Sequence, residues 1–264
     1  MLAINIANEA GNYKQNNITL GGKRDFTKQK NIGILKLQEG SLHKKEKDGS
    51  KPKVMDMIKL MGKRIDPDNM EILYDVPFTE ETVARDFEIR DGNWYVEDGW
   101  LIGENRKNSA AMAISKESFY GPVCLDFYAK ILEPCTHDIN CMWSGSWDEE
   151  TNTRALAYVA GVGGWWDGKL GFEKSPQYKL CGGTKLFQFD PGHTYHMQCG
   201  SIGGHIFIIV DGQLAVEMMD PDPIDQSKFG RIGFEAFCTR AAYRDVKVRR
   251  ASYIGVKEKY DPEF

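Results

Sequence analysis

No stretch of the 264-residue chain approaches the roughly 18 consecutive apolar residues that a membrane-crossing helix needs, which excludes such a helix and gives no case for a membrane partner. An excess of charge of one sign is lacking too. Lys and Arg number 34 against 38 Asp and Glu, and a net charge of −4 gives no global electrostatic case for nucleic acid. Glycine (27) and proline (10) are too few for a collagen-like chain, and 41% hydrophobic residues are too many for a disordered one. The six cysteines form no C-x-x-C pair, and Cys135 and Cys141 have no second pair at zinc-site spacing. The start, Met1-Leu2-Ala3-Ile4-Asn5, carries no basic stretch, and Asn5 and Asn8 break its apolar run, which argues against a secretory signal. Free buried thiols and a cytoplasmic location are the resulting expectation.

What is there is length, enough for one large β domain or two ordinary domains. Character changes along it. Residues 1–70 hold 14 Lys and Arg against 8 Asp and Glu, and their only aromatics are Tyr13 and Phe26. The run from Leu42 to Lys53 has no apolar periodicity and reads as an exposed loop, with no interleaved aromatics to suggest a nucleic-acid arm. Val54 to Met61 is expected to form two helical turns, stopped by Gly62 and Pro67. After residue 70, short alternating runs recur between turn signals such as Asp98-Gly99 and Asp211-Gly212. His205 to Val210 meets Gln213 to Val216 across Asp211-Gly212, the strongest short-range signal for a β-hairpin. Leu125 to Ile131 and Ala242 to Arg249 alternate as well. The expected architecture is all-β, a two-sheet sandwich of about a dozen strands over residues 71–250, with an irregular extension over 1–70 and a tail over 251–264.

Several of these segments, in this order, resemble a known group. Leu73-Tyr74-Asp75, then Trp94-Tyr95-Val96-Glu97-Asp98-Gly99-Trp100, resemble the opening strands of concanavalin A-like jelly rolls. Phe207 to Leu214, Gly230 to Phe237 and Tyr243 to Val248 continue the likeness. The order is similar to that of the bacterial 3-keto-disaccharide hydrolase family, over residues 71–250. The resemblance implies a jelly-roll fold with a concave, carbohydrate-facing sheet. It also implies a carbohydrate-active enzyme that cleaves a glycoside, a 3-keto glycoside in particular, by hydrolysis or elimination. A non-catalytic carbohydrate-binding module is the alternative, because binders and enzymes share these strands. Self-association into a homo-oligomer is left open.

Alternation offers a way to guess the ligand face. In Ile232-Gly233-Phe234-Glu235-Ala236-Phe237, the set Ile232, Phe234 and Ala236 should point between the sheets. Glu235 and Phe237 then point outward, toward a site or simply to solvent. The densest chemistry lies between residues 137 and 178, which hold four of the six tryptophans. Sugars present flat C–H faces to aromatic rings and hydroxyls to short polar side chains. Candidate sugar-binding residues are therefore Asp138, Asn140, Trp143, Trp147, Tyr158, Trp165 and Trp166. Trp143 has a competing reading as core filler, and Trp165 and Trp166 cannot both point inward from one strand. Ordinary glycoside hydrolysis needs two positioned carboxyls, and Asp138, Asp148, Asp167, Glu173 and Glu235 are too many to pair by spacing. The resembled family implies another route, in which a base removes the acidified proton beside the ketone while an electrophile, a divalent cation or a lysine, polarises it. His137, Glu173, Lys174 and Glu235 are the catalytic candidates on that basis. His193 and His196 sit three apart but at the start of a strand, where a sheet-edge role competes with metal binding. Asp220 to Asp225 lacks the glycine and final glutamate of an EF-hand loop.

Overall fold

The computed structural model describes residues 58–254, save 61, 165–167 and 178. Expectations for the first 57 residues, for the tail from 255, and for Trp165 and Trp166 lie outside the described residues. Two antiparallel sheets face each other. The first runs β14 (Leu180–Thr184), β13 (Leu170–Ser175), β12 (Ala157–Val162), β9 (Ile139–Gly145), β18 (Arg231–Ala236), β7 (Ala111–Ser115), β4 (Phe87–Arg90). The second runs β17 (Gln213–Met219), β16 (His205–Val210), β15 (Tyr195–Ile202), β8 (Val123–Ile131), β19 (Thr239–Arg250), β6 (Trp100–Asn105), β5 (Asn93–Glu97), and β3 (Ile72–Asp75) also pairs with β19. This is the sandwich that the alternation predicts, with fifteen strands in its two sheets rather than about a dozen.

Turn chemistry fixes the registers. Asp98-Gly99 and Asp211-Gly212 each hold two consecutive positive φ values, 50° and 75°, then 49° and 75°. That geometry matches the twist of the strands they join, so Glu97 pairs with Trp100 and Val210 with Gln213. Alternation then divides each strand. Ile232 and Phe234 of β18, Cys141 and Trp143 of β9, and Phe127 and Ala129 of β8 all lie in the core between the sheets. Phe234 packs edge-on to Phe127 and against Tyr243, which couples the layers through aromatic contact.

A third layer lies on the outer face of the eight-stranded sheet. Ile58–Leu60 (β1) and Lys63–Ile65 (β2) form a hairpin around Gly62, whose φ is +65°. The helix expected up to Met61 is therefore a strand at Ile58–Leu60. Alternation buries Leu60 and Ile65 on Phe207 and Ile209, and a helix would turn one of them away. The next turn, Pro67–Asn69, is pinned from the sheet: Gln198 Nε2 donates to Asp68 Oδ1 (3.1 Å) and Arg249 Nη1 to the Asp68 carbonyl (3.1 Å). Ile58, Leu60, Ile65 and Met70 thus pack on the sandwich, as do Ala251 and Tyr253 beyond its expected end. The separation placed after residue 70 does not hold for this segment. Ile65→Ala should lower stability by about 2–4 kcal/mol, measured by urea unfolding, whereas a surface appendage would lose almost nothing.

Candidate active site

The outer face of the seven-stranded sheet is half covered by a strap. After β9 the chain doubles back through the short hairpin β10 (Trp147–Asp148) and β11 (Thr153–Arg154), in which Trp147 pairs with Arg154. The Asp148 carboxylate caps the turn by accepting from the Glu150 N–H (2.9 Å). Trp147 packs on the apolar outer face made by Met112, Met142, Ala157 and Val159. Arg154 is thereby carried inward until only 2% of it is exposed. Its Nη1 donates to Glu235 of β18, its Nη2 to Glu173 of β13, and its Nε to Ser175 Oγ at 2.6 Å.

Beyond the strap the face opens into a pocket of about 400 Å³. Its floor follows from the register. Glu235 lies opposite Asn140 of β9, and Asn140 lies opposite Gly161 of β12, which has no side chain to fill the space. Asp138 enters from the turn before β9 at φ +82°, a conformation that Asp tolerates better than most residues. A Cβ at Gly164 would collide with the Asp138 carboxylate, so any larger residue there would displace that carboxylate. Tyr243 of the facing sheet ties this floor together. Its hydroxyl lies 2.8 Å from the Glu235 carbonyl, 3.1 Å from the Asn140 carbonyl and 3.3 Å from the Asn140 N–H.

Three carboxyls, Asp138, Glu173 and Glu235, therefore share a buried site with one guanidinium. Two of them, Glu173 and Glu235, share the single positive charge of Arg154. Burial pushes the Asp138 carboxyl up to about 7, helped by the charge of Glu235, against a hydrogen bond from Asn140 that favours the anion. Asp138 is thus the group poised to exchange a proton near neutrality.

The sequence candidates divide sharply. His137, Asp138, Asn140, Glu173 and Glu235 line the pocket, with His137 half-buried at its rim. Lys174 does not. It follows Glu173 on the strand, so it points to the other side, where its Nζ meets Asp220 at 3.0 Å and donates to the Asp222 carbonyl. Trp143 is core, with its indole N–H donating to Ser201 Oγ (2.9 Å). Tyr158, paired with Trp143, is core as well, its hydroxyl donating to Asp220 (2.7 Å). Trp147 lies on the strap beside a flanking hollow rather than in the pocket itself. Phe237, expected to point outward with Glu235, lines the pocket as well, and so do Arg154 and Cys238, which carried no site signal in the sequence. Arg154 stands alone after a polar turn, and its partners are 19 and 81 residues away. Among the described residues, no group of three or more His, Cys, Asp or Glu is arranged to hold a metal ion. The Glu173 and Glu235 carboxylates are taken by Arg154, so a divalent cation does not fit the donors present. His193 and His196 serve separate carboxylates, Asp211 and Asp126.

No protein-family model and no curated protein matches the sequence. Solved structures do match the fold. One is a Bacillus subtilis protein described as having a galectin-like fold, at TM-score 0.54 and 17% identity over 68% of this chain and 96% of that one. Another is the carbohydrate binding module CBM66 from Bacillus subtilis, at TM-score 0.50 and 15% identity over 69% and 97%. The Crh5 transglycosylase in complex with NAG matches at TM-score 0.50 and 11% identity over 70% and 87%. The chain is therefore a galectin-like, concanavalin A-like β-sandwich.

Two outcomes check the site's electrostatics. Arg154→Met should cost about 3–5 kcal/mol at neutral pH, because it strands two buried carboxylates, and the cost should shrink in acid as they protonate. Asp138→Asn should do the reverse. The Asp138 carboxyl titrates near 3.8 when unfolded and near 7 when folded, so folding takes up a proton between these values and stability falls as pH rises through that window. Removing the charge should raise the melting temperature at about pH 8 and leave it nearly unchanged at about pH 4.

Proposed function

We propose that this protein is a carbohydrate-active enzyme that cleaves a glycoside in the pocket beneath Arg154, and that a 3-keto glycoside is its favoured substrate. The observation that carries this reading is the gathering of three carboxyls in one open pocket, Glu173 and Glu235 on a shared guanidinium and Asp138 beside them. An excess of buried carboxyls costs stability, and proton transfer is the use that rewards it. A module that only binds sugar is served by aromatic faces and exposed polar groups. The names of the structural neighbours, a carbohydrate-binding module and a transglycosylase, support carbohydrate as the ligand class.

The preference for an oxidised sugar rests on what the carboxyls are free to do. Ordinary hydrolysis needs a protonated carboxyl and a second carboxylate free to attack or to activate water. Glu173 and Glu235 are both held by Arg154, which leaves Asp138 as the mobile proton carrier. A 3-keto sugar asks for one base. Asp138 takes the C2 proton, and the electron pair moves into the enolate. The C1–O bond then breaks as the departing oxygen takes the proton back, leaving an unsaturated ketone. Addition of water completes a hydrolysis. Asn140 holds the Asp138 carboxyl in place, and a base that titrates near the working pH is suited to the transfer.

A panel of 3-keto and unoxidised glycosides with product analysis tests the reading. Turnover should favour the keto substrates, and Asp138→Asn should lower it by roughly 10²-fold or more with little loss of sugar binding. Full activity in Asp138→Asn would remove the assigned base. Binding without turnover on every substrate would make the protein a carbohydrate-binding module.

A further inference from the structure

The central pocket does not end at its own walls. A hollow of about 390 Å³ adjoins it on one side and shares Arg154 and Phe237 with it. A hollow of about 640 Å³ adjoins it on the other and shares His137 and Gly164. The order of these hollows follows the order of the strands. The first lies at the β4–β7 edge, bounded by Arg90 at the end of β4 and Ala110 just before β7. The pocket spans β18, β9 and β12. The second lies past β12, at Gly163 and at Phe187 and Phe189 after β14. Three connected depressions thus run across the strands of one sheet face. Both flanks carry aromatic surface, Trp147 and Phe237 on one side, Phe187 and Phe189 on the other, while the ionisable groups gather in the middle.

We propose that this face binds a neutral oligosaccharide chain of at least three units laid across the strands, with an internal unit over Asp138 and its neighbours seated on the two aromatic flanks. The proposal rests on carbohydrate being the ligand of the pocket. Aromatic rings at both ends and polar groups at the centre are what a chain of rings joined by hydroxyl-bearing linkages would meet. Charge selects against acidic sugars. Three carboxyls face the middle unit against one arginine, and Arg90 on the first flank is already bonded to Glu88 and Glu149. A uronate or sulfate on the middle unit would enter a field of its own sign, and Lys185, the lysine among the described lining residues, sits at the second hollow instead.

Calorimetric titration of the full chain with cello-, malto- and laminari-oligosaccharides of two to six units, and with an oligogalacturonate series, tests this. In at least one neutral series the affinity should rise by about threefold or more per unit from two units to at least three. The oligogalacturonates should bind more weakly at every length. Ser109→Trp would fill the first hollow and Gln188→Trp the second, both at the surface. Each should cut the gain from the third unit while leaving two-unit binding nearly unchanged. Equal affinity for two and six units in every series, tighter binding of the acidic series, or no binding in any series would overturn the proposal. Turnover of short keto glycosides without a length effect would sink the chain-binding groove and leave the catalytic reading intact. A length effect without turnover would do the opposite.

Discussion

Burying a guanidinium to 2% exposure is costly unless its charge is met at once, and Arg154 meets two carboxylates. Glu173 and Glu235 lie on strands separated in the sheet by β12 and β9, so neither strand pairing nor hairpin geometry brings them together. The arginine does, and it can reach them only because the strap lies flat on the sheet with Trp147 seated on Met112 and Met142. Strap, sheet and pocket depend on this one ionic junction. Hydrophobic residues of similar size in place of all three, Arg154, Glu173 and Glu235, would hold the strap as well or better, which argues that the charges are retained for the site rather than for stability.

The junction also sets the character of Asp138. Burial, and a neighbouring pair of carboxylates that one arginine offsets only in part, make the third acid hold its proton to about pH 7. Gly164 and Asn140 confine it, the first by the absence of a side chain and the second by a hydrogen bond. The same crowding that destabilises the anion is what the proposed base at Asp138 would draw on. Stability and chemistry are therefore in opposition at this residue.

The fold was largely legible because its rules are local. Asp98-Gly99 and Asp211-Gly212 dictate tight hairpins, and the alternation of Ile232 to Phe237 fixes which side of β18 carries Glu235. The same rule, applied to Glu173 and Lys174, shows that neighbours on one strand cannot both serve one face, and here only the glutamate does. The site was legible in part. Asp138, Asn140, Glu173 and Glu235 stand out as residue types, but Arg154 makes its contacts across long stretches of sequence and leaves no periodic trace. Composition misled at Trp143 and Tyr158. Both belong to the polar, aromatic window, yet they pair across β9 and β12 on the inner face, where the indole N–H donates to Ser201 and the hydroxyl donates to Asp220 and accepts from the Ile224 N–H. The segment from Ile58 to Ile65 misled differently, because four apolar residues near a glycine fit a short helix and a hairpin equally well until the surface they cover is known.

Tyr243 shows why the chemistry sits where it does. It belongs to the facing sheet and is wholly buried, so its hydroxyl must find partners inside. It finds them on the backbones of Asn140 and Glu235, the two positions whose side chains form the pocket floor. One residue of the core thereby fixes the β9–β18 spacing from behind, while Arg154 fixes the Glu235 and Glu173 side chains from in front. A displacement at either point would move the carboxyls relative to Asp138 and alter the field that raises it. The floor is held from both faces of one sheet, by Tyr243 behind and Arg154 in front, a double support that the flanking hollows lack.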